Sequence, residues 1–113
     1  MSKVYEMSVQ SVYVHYVNKV ERKGRTKTEL NKVMCWLTGF SPAELQKHLK
    51  AETTFKDFFK QAKLNKNAKK ITGTICGVKI EDIEEPLMKK IRYLDKLVDE
   101  LAKGRPMEKI LRD

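Results

Sequence analysis

Residues 86–104 read PLMKKIRYLDKLVDELAKG, and their apolar positions, Leu87, Ile91, Leu94, Val98 and Leu101, advance in alternating steps of four and three. That spacing returns to the same side of an α-helix every turn, so one apolar stripe runs along the segment. Pro86 suits the first helical position, where its fixed φ is already helical and no amide is needed. Glu81, Asp82, Glu84 and Glu85 stand before the helix or at its cap, where the helix dipole favours negative charge. Gly104 stops the helix beside Lys103 and Arg105. The stripe keeps a heptad pattern for about two heptads, fewer than a coiled coil needs, and is expected to be the spine of a core. Tyr93 and Leu97 widen the apolar surface beyond the stripe, which suggests a homodimer contact.

Working outward, Pro106 starts a last short helix that should bury Met107, Ile110 and Leu111. On the other side, residues 65–83 resist a single reading. Ile71, Gly73, Ile75 and Gly77 alternate with polar or small residues, as in a short strand or an irregular crossing, and the glycines weaken either element. Before it, Thr53 or Thr54 can cap a helix with Phe55, Phe58, Phe59 and Ala62 inward. Ser41, Pro42 and Glu44 mark another start, followed by Ala43, Leu45 and Leu49. Thr26 and Glu29 form a capping box before Leu30, Val33, Met34 and Leu37, and Gly39 ends that helix. Val9, Val12, Tyr13, Tyr16, Val17 and Val20 give a first helix that stops at Gly24. Valines favour strands, but the period is helical. The expected fold is all-α, an orthogonal multihelical bundle of five or six helices with one irregular segment around 65–83, in a single domain over 1–113. Only the first few residues look like a tail.

A chain with 41% hydrophobic residues and three prolines is too apolar for disorder and too poor in proline for a long linker. The longest apolar run, Val33 to Leu37, falls far short of the roughly 20 residues that span a bilayer, and no signal-peptide stretch opens the sequence. A cytoplasmic protein with no membrane partner is expected. Cys35 and Cys76 do not form a disulfide framework and are expected to be reduced. The net charge of +9 favours anionic partners such as RNA or DNA. Five of the 24 Lys and Arg residues are arginine, which leaves 19 lysines, strongly hydrated point charges less suited than arginine to two-point recognition.

Several phrases carry a resemblance: ERKGRTK (21–27), WLTG (36–39), ICGV (75–78), PLM (86–88), IRYLDKLVDELAK (91–103) and MEKIL (107–111). Together they resemble a bacterial family known as domain of unknown function 2200, over nearly the whole chain. Glu85 stands where the family is expected to have Asp before Pro86, which keeps the charge. The resemblance implies a compact, multihelical cytosolic protein. It implies no activity and supplies no catalytic residues.

Residues 31–50 have the outline of a helix-turn-helix, with Gln46, Lys47 and Lys50 exposed on the second helix, though Cys35 and His48 fall where small or apolar residues are wanted. Basic residues also concentrate between Lys19 and Lys32 and between Lys60 and Lys79. The candidate nucleic-acid contacts are Arg22, Lys23, Arg25, Lys27, Lys47, Lys50, Lys66, Lys69 and Lys70. Cys35, Cys76, His15 and His48 lack the short spacings of a zinc site, so neither a metal nor a cofactor is expected. GTICGVK (73–79) lacks the glycine spacing of a phosphate loop and a Ser or Thr after the lysine. The favoured function is therefore a non-enzymatic nucleic-acid-binding module. A protein-interaction or small homo-oligomeric protein is the alternative. An enzyme using Cys76, or Asp95 and Asp99 on one helix face, is the third reading.

Overall fold

The computed structural model describes residues 3–75 and 77–112. The helices are α1 (Val9–Arg22), α2 (Lys27–Thr38), α3 (Pro42–Lys50), α4 (Phe55–Gln61), α5 (Pro86–Ala102) and α6 (Met107–Ile110). Two short strands, β1 (Thr74–Ile75) and β2 (Val78–Lys79), pair antiparallel. The chain is thus an all-α bundle, with six helices among the described residues, the upper of the five or six that the periodicity predicts.

The helix starts follow the capping residues. Thr26 Oγ1 accepts from the Glu29 amide at 3.1 Å while Glu29 accepts from the Thr26 amide at 2.9 Å, and Ser41 and Glu44 repeat the exchange at 3.1 and 2.8 Å. These reciprocal bonds satisfy amides that have no partner within the helix. Of the two threonines before α4, Thr54 is the cap, and Thr53 instead meets His48 Nδ1 at 3.0 Å.

Every helix contributes to one apolar cluster, and α5 lies at its centre, in contact with α1, α2, α4 and α6. Ile91, Leu94, Val98 and Leu101 are buried, as the stripe predicts. Tyr93 and Leu97 are buried too, at 7% and 0% exposure, so the surface expected for a homodimer contact is core instead. The physical reason is that α5 has partners on more than one side.

One further expectation changes, and the irregular segment expected around 65–83 is borne out. Lys3–Glu6 are not part of a tail: they form a 3-10 turn that buries Tyr5. The turn is held because the Phe55 amide donates to Met7 O at 3.0 Å and the Val9 amide to Thr53 O at 2.8 Å. The irregular segment resolves into a 3-10 turn at Lys66–Lys70, the β1–β2 hairpin and a 3-10 turn at Ile80–Asp82. Ile71, Ile75 and Ile80 anchor it in the core. No helix among the described residues is long and apolar enough to cross a membrane.

Candidate nucleic-acid interface

The arginines divide by role. Arg25 donates through Nε and Nη2 to Glu29 and through Nη1 to the carbonyls of Leu101 and Arg105. Arg92 pairs with Asp95, and Arg105 and Arg112 both pair with Glu100. Arg22 is exposed and has no ion pair among the described residues. Arg25, a candidate nucleic-acid contact from its neighbourhood in sequence, is thus committed to holding the α1–α2 corner against the end of α5.

The other candidates, Arg22, Lys23, Lys27, Lys47, Lys50, Lys66, Lys69 and Lys70, are exposed. Two groups of them lie at opposite ends of α2. Arg22, Lys23 and Lys27 stand at the start of α2. The segment before Lys66 is bonded to its far end, where the Lys63 and Asn65 amides donate to Thr38 O and Leu37 O, both at 2.9 Å. At 1.5 Å per residue, α2 separates these regions by about 18 Å.

A narrower arrangement lies along α1. His15, Asn18, Lys19, Arg22 and Lys23 line a concavity of about 490 Å³. Their spacing places them on one helix face, with no acidic side chain among the described residues of the lining. Lys19 lies 3.4 Å from Asp99, which is also bridged by Lys103 at 3.0 Å. Burial alone would raise the Asp99 pKa, but the two lysines outweigh it and hold the carboxyl below its ordinary value. His15, weighed only as a metal ligand, and Lys19, counted only within a basic stretch, were not among the candidate contacts, and Asn18 carried no signal of its own, although all three occupy the polar positions left between the apolar residues of α1.

In the helix-turn-helix segment, Gln46, Lys47 and Lys50 are exposed as predicted. His48 instead packs its ring 4.6 Å from Phe40 and 5.6 Å from Phe58, which explains a histidine at an inward position. The first turn of α3 carries Pro42, Ala43 and the capping Glu44. A recognition helix touches base edges with its first residues, and here those are apolar or anionic.

Asp95 and Asp99 do not share a site. Asp95 accepts from the Tyr16 hydroxyl and pairs with Arg92, whereas Asp99 takes the two lysines. Cys35 is half-buried, and its thiol is pushed up by burial and then by Glu44, which disfavours the nucleophilic thiolate. Cys76 lies outside the described residues. No group of three or more metal-ligating side chains occurs among the described residues.

A small, basic, all-α bundle with a lysine-rich surface is the class these features define. The chain belongs to the DUF2200 family, described as an uncharacterized protein conserved in bacteria, whose model matches residues 3–112. It is also similar to the crystal structure of the uncharacterized protein SP1917. The two share 45% identity at a TM-score of 0.92, over 98% of this chain and 93% of that one. No curated protein matches it.

Proposed function

We propose that the chain is a non-enzymatic module that binds the phosphate backbone of nucleic acid without reading its bases. The concavity lined by His15, Asn18, Lys19, Arg22 and Lys23 carries the reading, because it gathers cationic and hydrogen-bonding groups on one rigid helix. Base readout leans on two-point arginine contacts, and four of the five arginines are bound within the fold. Base stacking needs open aromatic rings. All four Tyr and all four Phe are buried, and Trp36 is partly covered. What the surface offers is charge, which favours phosphate over sequence.

Fluorescence anisotropy with a short duplex of mixed sequence, repeated across salt concentrations, tests this. Affinity should fall steeply with salt and vary little with sequence. Arg22→Gln with Lys23→Gln should weaken binding more than Lys66→Gln with Lys69→Gln. Absence of low-salt binding would sink the reading, and equal losses from both pairs would remove the α1 concavity as its centre.

A second reading, self-association or a protein partner, is favoured by Met7, just before α1, and Val14, in its second turn, 42% and 46% exposed. Light scattering tests the self-association: a strict monomer at high concentration excludes it.

A further inference from the structure

A second concavity, of about 240 Å³, opens where α1 meets α5. Phe55 and Ile91, both buried, lie at its base, and Val4, Val12 and Met88, partly covered, line its sides. Its polar side is Tyr16, Asp95 and Arg92. The Tyr16 hydroxyl donates to Asp95 Oδ1, and Arg92 Nη1 donates to Asp95 Oδ2 at 3.2 Å. Both carboxylate oxygens are thereby engaged. Arg92 Nε and Nη2 have no acceptor among the described residues, and the side chain keeps 27% exposure.

We propose that this cleft binds a small monocarboxylate with a short apolar body. The carboxylate meets the unused donors of Arg92, and the body covers Phe55, Ile91 and Met88. A planar guanidinium with two donors to spare matches a carboxylate at two points. A cationic ligand is disfavoured because Asp95 already has two partners. A phosphate dianion is disfavoured because Arg92 is the one cation among the described residues of the lining and Asp95 offsets its charge. The volume corresponds to about eight waters, which limits the ligand to a small molecule. The site is independent of the nucleic-acid reading.

Amide NMR titration with hexanoate at constant ionic strength tests the proposal, with hexanamide and hexylamine as controls. Saturable shifts are expected at Val4, Val12, Met88 and Arg92, with hexanamide and hexylamine each about tenfold weaker, the size of a lost charge-assisted contact. Arg92→Gln should abolish saturation while the protein still melts cooperatively. Arg92→Lys, which keeps the charge without the fork, should weaken it. If Arg92→Gln does not fold, Val12→Phe fills the cleft and should block binding with Arg92 intact. Equal binding of hexanamide, shifts spread over Lys66 and Lys69 instead, or no saturable shift would each overturn the proposal.

Discussion

Arg112 clasps Glu100 at two points, Nη1 to Oε1 at 2.9 Å and Nη2 to Oε2 at 2.8 Å, and so ties the residues after α6 to α5. Arg105 adds a contact at 3.1 Å, and the Glu100 side chain is only 7% exposed. A carboxylate so enclosed is costly to leave without its main partner. Arg112→Ala should destabilise the fold by about 3 kcal/mol, whereas replacing Glu100 and Arg112 together by leucine should be near neutral. Urea unfolding of the three proteins decides it, and a harmless single variant would refute the coupling.

At the α2–α3 corner, Gly39 has φ 76° and a Cβ there would stand 2.6 Å from Lys63 O. Gly104 has a similar φ of 87° but open space around it. Gly104→Ala should cost about 1 kcal/mol from the backbone alone, and Gly39→Ala more, because the 63–65 segment must also move. Equal melting temperatures for the two variants would show that the close approach is immaterial.

Tyr5 has a buried hydroxyl with no hydrogen-bond partner among the described residues. Burial raises its pKa first and the neighbouring Glu85 adds to the rise, while the Met88 backbone opposes it. Tyr5→Phe removes an unsatisfied polar group and keeps the ring, so the variant should be as stable as the parent or more stable by about 1 kcal/mol. Chemical denaturation that shows a clear loss would reveal a partner for the hydroxyl.

Glu29 is held below its ordinary pKa of 4.5, chiefly by Arg25 and then by the Thr26 amide. A group whose pKa is depressed by folding contributes stability that is full above the unfolded value and fades as pH falls through the folded one. Glu29→Ala should therefore cost about 1 kcal/mol at neutral pH, the size of a lost cap. The gap from the parent should narrow below pH 4.5. Stability curves against pH measure it, and a gap constant into acid would contradict the assignment.

Elements with local signals were legible in the chain, and those set by distant partners were not. Thr26, Ser41 and the Leu87–Leu101 stripe act through neighbours three or four residues away, so their spacing announces them. The Lys3–Glu6 turn has no period, and its burial depends on Tyr5 and on bonds to residues 53–55. Tyr93 and Leu97 showed a second apolar face, but a helical period cannot say whether that face meets its own chain or another. The site was half visible. Arg22 and Lys23 stood out as charge, while Arg25 looked equivalent until its bonds to Leu101 and Arg105, 76 and 80 residues on, gave it a structural task.

The central place of α5 also bears on how the chain folds as it is made. Synthesis runs from the N-terminus, so α1, α2 and α4 emerge with inward faces built to meet a helix not yet translated. Until residues 86–102 leave the ribosome, the apolar sides of α1 and α2 lack their common partner. Ribosome-bound chains ending before Pro86 should therefore remain protease-sensitive, with protection arriving as α5 becomes available rather than helix by helix.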